Sequence, residues 1–250
     1  MVLAMNAVQI QHLTLAFAGK PLFENFNFAV VQGHWTALLG RSGVGKSTLL
    51  RVIAGLEQQT IQQGKIEFLT ASAATNQSVA FMAQNDGLYP WLSVLDNVQL
   101  AQHLRGQKNQ ASQQRAEELL DAVHMLEHRD KACYQLSGGQ RQRVALARTL
   151  MQSAEVILMD EPFSALDVVT RLQLQTLAQQ LLADKTVLLV THDPQEALRL
   201  CDDIFVLQKQ AEQVVLTAPI SPQAIERLPE HPNFWQLYQR LLQQLQQGEL

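Results

Sequence analysis

The sequence predicts an α/β fold: a mostly parallel sheet clad by helices, with an antiparallel β subdomain and an inserted α-helical subdomain. Three observations predict it. Short apolar runs recur at Thr36–Leu39, Val156–Met159, Val187–Val190 and Ile204–Leu207, as strands covered on both faces require. Helical patterns separate these runs. Three of the four runs end in polar, chemically capable residues, at the strand ends where open α/β sheets bind ligands.

The elements follow in chain order. Val8 and Ile10, then Leu13, Leu15 and Phe17, alternate as edge strands do. Thr36-Ala37-Leu38-Leu39 runs into a glycine loop, and Thr48, Leu49, Leu50, Val52 and Ile53 continue as a helix beginning near Lys46. Gly64 to Met82 reads as two short strands joined by the small-residue loop Ala71 to Asn76. From 85 to 148 the chain is Gln-rich and helical in pattern, with Ala116, Leu119, Leu120, Val123 and Leu126 at helical spacing between Ser112 and His128. This predicts a nucleotide-binding core from 1–84 and 149–217, including the antiparallel part, and a helical subdomain at 85–148. Residues 218–250 read as a connector broken by Pro219, Pro222, Pro229 and Pro232, then a last helix. Phe234, Leu237, Leu241 and Leu245 form one face of that helix, widened by Trp235, Tyr238 and Leu242. Either it docks on its own domain or it faces a partner.

Composition narrows the function. The 250 residues are 47% hydrophobic, enough for a large core with a smaller satellite. A net charge of -4 argues against nucleic acid as the main partner. Cys133 and Cys201 lie far apart and outside metal-ligand spacing, and read as inert thiols of a reducing cytosol. The first basic residue is Lys20, so the N-terminus lacks the charged start of a signal peptide. No apolar run approaches the ~20 residues needed to cross a bilayer. The expectation is a soluble protein that can still sit on a membrane protein.

The segment Gly40-Arg41-Ser42-Gly43-Val44-Gly45-Lys46-Ser47-Thr48 fits the phosphate-binding pattern G-x-x-x-x-G-K-[ST]. Glycines let successive N–H groups curl toward phosphate oxygens. The helix that follows adds its positive N-terminal dipole. Lys46 supplies a point charge for the β- and γ-phosphates of a nucleoside triphosphate, and the Ser47 hydroxyl can ligate Mg2+. Asp160 ends an apolar strand and can hold the Mg2+ shell; Glu161 is placed to take a proton from the attacking water. Taken alone, Asp160-Glu161 could equally be a helix cap. Beside the glycine loop, the pair reads as catalytic.

Leu136-Ser137-Gly138-Gly139-Gln140, followed by Arg141-Gln142-Arg143, resembles the signature of ATP-binding-cassette (ABC) ATPases. Other segments agree in order from about Val8 to Leu216. Gln84 matches the family's Q-loop glutamine, Ser164-Ala165-Leu166-Asp167 its D-loop and His192 its switch histidine. Phe17 matches an aromatic residue that stacks on adenine. The resemblance implies a P-loop NTPase (RecA-like) core that binds ATP and Mg2+. It implies that Ser137, Gly138, Gly139 and Gln140 act across a homodimer on ATP held by the other copy's glycine loop, with Asp167 at the seam. Gln84 would touch Mg2+ and the water, and His192 the γ-phosphate. The remaining histidines, His12, His34, His103, His124, His128 and His231, match no such position and read as structural.

The segment Gln84 to Val98, with Tyr89-Pro90-Trp91-Leu92-Ser93-Val94 inside it, resembles importer ATPases for nitrate, sulfonates, taurine and thiamine-precursor pyrimidines. That implies a motor peripheral on the cytoplasmic face of the cell membrane. Its partners would be an integral membrane permease and, indirectly, a periplasmic or lipoprotein solute-binding protein. Tyr89 and Trp91 would then touch the permease, or else simply pack the helical subdomain. Two other classes stay open: the ATPase of an exporter or lipid-extraction complex, and a soluble non-transport ABC ATPase. The loop from Ala71 to Gln77 and the tail after Ser221 depart from the family pattern, and bear on the substrate assignment.

Overall fold

The computed structural model describes residues 5–17, 20–70, 79–210 and 213–247, without the side chains of Phe17 and Lys20. The predicted Ala71–Asn76 loop therefore lies outside the described residues, as does the Phe17 ring.

Five parallel strands build the central sheet: β5 (Val79–Met82), β6 (Val156–Asp160), β7 (Thr186–Thr191), β3 (Trp35–Gly40) and β8 (Asp203–Gln210), in that spatial order. The antiparallel β9 (Gln213–Leu216) closes the β8 edge. Every residue of β3, β6 and β7 is buried. Side chains alternate across a strand, so each strand feeds two cores. Ala37, Leu39, Ile157, Met159, Val187 and Leu189 enter one core; Leu38, Val156, Leu158, Leu188 and Val190 enter the other. Having two apolar faces makes these runs continuous rather than alternating.

The second core lies under a three-stranded antiparallel sheet ordered β2 (Lys20–Val31), β1 (Asn6–Phe17), β4 (Ile61–Phe68). The predicted edge strand Val8–Phe17 is thus the middle strand, paired on both sides. Its alternation shifts phase between Ile10 and Leu13 because the pairing slips there and His12 takes φ 51°, the mark of a β-bulge. Gly64 lies opposite, with a Cβ position only 2.5 Å from the His12 carbonyl oxygen. It is therefore a mid-strand glycine fitted to the bulge, and not the start of its strand. The predicted pair of strands around residues 71–76 is real, but β4 and β5 belong to different sheets.

The first core is roofed by helices. α1 (Lys46–Ile53) follows β3 and packs on the antiparallel side. α2 (Val94–Val98), α3 (Leu100–Leu104), α4 (Gln110–Ala122) and α5 (Gly138–Leu150) follow β5, then α6 (Val168–Leu181) and α7 (Pro194–Leu200). The helix expected over Ser112–His128 begins earlier and ends sooner. An Asn109–Ser112 capping box starts α4. His124 at φ 58° stops it, with the Met125 N–H donating to the Leu120 carbonyl, a left-handed C-terminal cap. Leu126 falls in a separate short turn.

The last helix, α8 (Pro232–Gln247), lies on its own chain. Phe234 and Leu241 are buried in the first core, with Leu237, Tyr238 and Leu245 packed against it. The Gln208 amide donates to the Gln244 carbonyl. Both cysteines are buried; burial pushes the Cys133 thiol up to about 11 and Cys201 well above its ordinary value. Among the described residues, no helix is long and apolar enough to cross a membrane.

Candidate active site

Strand register assembles the site. β5, β6, β7 and β3 are neighbours in that order, with Met82 beside Met159, Asp160 beside Val190 and Leu39 beside Thr191. The residues just past their carboxyl ends therefore stand in a row: Gln84, Glu161, His192 and the Gly40–Thr48 loop.

The loop is shaped by glycine at two places. Gly43 has φ 84° and Gly45 φ 106°, values that L side chains rarely adopt. A Cβ on Gly45 would also lie 3.2 Å from Leu22 and from the Phe23 ring. Gly45 is the N-cap of α1, and no side chain caps the helix. Its first N–H groups are left for an anion. Arg41 and Ser42 lead into this turn, and the hydrophobic Val44 is buried. A cleft of about 360 Å³ opens over Ser42, Gly43, Lys46, Ser47, Thr48 and, across from them, Gln84 and Glu161.

Lys46 is buried, and its ammonium donates to the carbonyls of Gly40 at 2.7 Å and Arg41 at 2.9 Å. Burial lowers its pKa, opposed by the charges of Glu161 and Asp160. Ser47 Oγ donates to Asp160 Oδ1 at 2.7 Å. Burial raises the Asp160 carboxyl above its usual range, and the Ser47 hydrogen bond pulls the other way. A buried carboxylate and a hydroxyl in contact at a phosphate cleft fit a Mg2+ that is mostly ligated by phosphate and water.

Glu161 is the convergence point. Gln84 Nε2 donates to Glu161 Oε2 at 3.2 Å, and His192 Nδ1 lies 3.1 Å from the same oxygen. Glu161 itself takes φ 45° and anchors its N–H on the Val190 carbonyl at 2.9 Å. A non-glycine residue in that region is strained.

The signature segment lies in a different cleft, of about 380 Å³, that shares no lining residue with the phosphate cleft. Ser137 caps α5: its Oγ accepts from the Gln140 N–H at 3.3 Å, and Gln140 Oε1 accepts from the Ser137 N–H at 2.9 Å. As an acceptor there, the Ser137 hydroxyl keeps its own proton for another partner. Gly138 and Gly139 form the first turn of α5. A Cβ on Gly139 would strike Thr170 Cγ2 at 2.6 Å. Asp167 caps α6, accepting from the Thr170 N–H at 3.1 Å; hydrogen bonding from the Thr170 side chain, and then from its N–H, lowers the Asp167 carboxyl pKa.

Sequence reasoning did not anticipate Leu22 on the wall of the phosphate cleft, nor the mutual hydrogen bond of Ser47 and Asp160. It also passed over Arg171, whose guanidinium reaches the Leu166 carbonyl at 3.0 Å. Leu22 and Arg171 carry no local motif, and the Ser47–Asp160 bond joins two motifs that lie far apart along the chain.

A parallel sheet, a glycine loop at its carboxyl edge and an acidic pair on the next strand but one define a P-loop nucleoside triphosphatase. The ABC transporter family profile matches residues 23–164. The chain is 53% identical over 240 residues to an uncharacterized ABC transporter ATP-binding protein of Haemophilus influenzae, covering 95% of this chain and 98% of that one. It is 40% identical to an aliphatic sulfonates import ATP-binding protein of Paracoccus denitrificans, covering 96% and 93%. It is 39% identical to the taurine import ATP-binding protein of Escherichia coli O157:H7, covering 89% and 84%. Among solved structures, a chain from an inward-facing transporter assigned to the metal-chelate ABC type superposes with a TM-score of 0.72 at 26% identity, covering 85% of this chain and 83% of that one. The chain belongs to the ABC transporter ATP-binding family, and it is an ATPase.

Proposed function

We propose that this protein is the ATP-hydrolysing subunit of an importer, working as a homodimer that closes on ATP and opens after hydrolysis. One observation carries the reading: the phosphate cleft and the signature cleft are separate on one chain, so a second copy can complete each site. Glu161 accepts the proton of the attacking water. His192 and Gln84 hold its carboxylate in place through Oε2. Lys46 and the N–H groups of Gly43, Gly45, Ser47 and Thr48 hold the phosphates, and Arg41, Ser42 and Val44 shape that turn. Ser47, Asp160 and Gln84 would hold Mg2+, which would supply charge neutralisation for the transferring phosphoryl group. From the partner copy, Ser137, Gly138, Gly139 and Gln140 bring donors to the γ-phosphate, and Asp167 meets the seam. Phe17 stacks on the base.

The permease would dock beside Gln84. A groove of about 350 Å³ lined by Leu88, Pro90, Cys133 and Tyr134 opens there. Of the two expected contact residues Trp91 is 70% and Tyr89 43% exposed, and Tyr134 on the groove wall is 69% exposed, which supports a partner-facing role over packing alone. The protein would sit peripherally on the cytoplasmic face of the membrane, with a solute-binding protein reached only through the permease. The solute would be small, of the nitrate, sulfonate, taurine or thiamine-precursor pyrimidine type, and relatives named for aliphatic sulfonate and taurine import favour the sulfonate and taurine end of that range.

Ser137→Arg tests the composite site. It fills the signature cleft and leaves the phosphate cleft untouched. ATP binding by the purified chain is expected to survive, and hydrolysis to be lost. Loss of ATP binding by the monomer would contradict the across-dimer assignment.

A further inference from the structure

Behind the Glu161–His192 pair lies a small cavity of about 30 Å³, large enough to admit water. Glu161 and His192 form part of its wall, and Arg171 and Glu196 line it as well. Arg171 stands in the first turn of α6, its N–H bonded to the Asp167 carbonyl at 2.9 Å. Its side chain turns back along the helix. Nη2 donates to the Leu166 carbonyl at 3.0 Å, and Nη1 lies 3.7 Å from Asp193 Oδ2.

Asp193 in turn fixes the turn that carries His192. Its Oδ1 accepts from the Gln195 N–H at 2.9 Å, starting α7, and its own N–H donates to Thr191 Oγ1 at 3.1 Å. His192 is therefore pinned on both sides by residues bonded to one another. Arg171 is the group that ties this turn to the Leu166–Asp167 turn.

We propose that Arg171 is a positioning residue for hydrolysis, locking the His192 turn against the Leu166–Asp167 turn so that His192 stays at Glu161. This rests on His192 acting at Glu161, as proposed above. A planar guanidinium can serve both groups at once from one side chain, whereas an ammonium acts as a single point charge. Because this side chain reaches both turns, movement of either turn is transmitted to His192. Glu196, buried and hydrogen-bonded to Gln175 at 2.9 Å, shares the cavity wall with Arg171 and lies within its electrostatic reach.

The test is a double-mutant cycle on steady-state ATP hydrolysis by the full chain. Arg171→Ala is expected to lower kcat by about tenfold or more, as misplacement of a catalytic group does, with KM for ATP little changed. Arg171→Lys should recover only part of the loss. In a His192→Ala background, Arg171→Ala should add no further loss of kcat. Should Arg171→Ala fail to fold, Asp193→Asn carries the same cycle: it keeps the oxygen that caps Gln195 and removes the charge facing Arg171. An unchanged kcat, a rise in KM in place of a fall in kcat, or a full additional loss in the His192→Ala background would each overturn the proposal. If His192→Ala alone left kcat intact, the His192 assignment itself would fall, a result distinct from failure of Arg171 alone.

Discussion

Gly45→Ala puts a methyl at a crowded, left-handed position of the phosphate loop. Two costs add. An L residue at φ 106° carries a backbone strain of about 1–3 kcal/mol. The new Cβ would sit 3.2 Å from Leu22 Cδ2 and from two atoms of the Phe23 ring. Leu22 is partly exposed and can give way. Phe23 is fully buried and packed 4.9 Å from Phe26 between ring centres, so it cannot easily do so. Crowding of this kind costs about 1–3 kcal/mol. Since Leu22 can relax, the combined loss is roughly 2–4 kcal/mol, a fall in Tm of roughly 5–15 °C for a chain of this size. Gly43→Ala supplies the control: its φ is 84°, but nothing lies within 4 Å of the added methyl. Nucleotide-free thermal melting should therefore rank parent above Gly43→Ala above Gly45→Ala. Adding ATP should raise the Tm of Gly45→Ala less than that of the parent. Equal melting of the two alanine variants would refute the crowding argument.

Two further outcomes follow from burial. Glu196 has its pKa raised chiefly by burial, against hydrogen bonds from Thr191 and Gln175. The folded state thus holds this proton to higher pH than the unfolded chain, and stability is lost as pH rises from the ordinary glutamate range through the raised value. Glu196→Gln should melt higher than the parent at pH 8 and show a smaller difference at pH 5; the opposite trend would reverse the assigned cause. Leu241→Ala removes a fully buried side chain of α8 from the first core. A loss of about 2–5 kcal/mol in urea unfolding is expected, and a loss near zero would mean that α8 does not stay docked in solution.

What the sequence revealed followed what lies close together along the chain. β3, β6 and β7 were legible because burial on both faces writes an unbroken apolar run. The phosphate loop was legible because its glycines, Lys46 and Ser47 are contiguous. The middle position of β1 was not, because the His12 bulge breaks its alternation and its partner Gly64 is about fifty residues away in the chain. Nor was the convergence of Gln84 and His192 on one oxygen of Glu161, which depends on the strand order β5-β6-β7-β3. Motif resemblance named those three residues; only the register brings them together. Arg171 was illegible for the same reason, since its partners at Leu166 and Asp193 meet it through a helix turn and a neighbouring strand end.

The composite site is most directly tested with Glu161→Gln. Glutamine keeps a carbonyl oxygen for Gln84 and His192 but is a far weaker base than the carboxylate. With ATP and Mg2+, size-exclusion chromatography with light scattering should find a stable species of twice the 28.0 kDa chain mass, holding unhydrolysed ATP. Removal of the nucleotide should return it to monomer. A variant that stayed monomeric with ATP and hydrolysed it at the parent rate would contradict both the base assignment and the two-copy site.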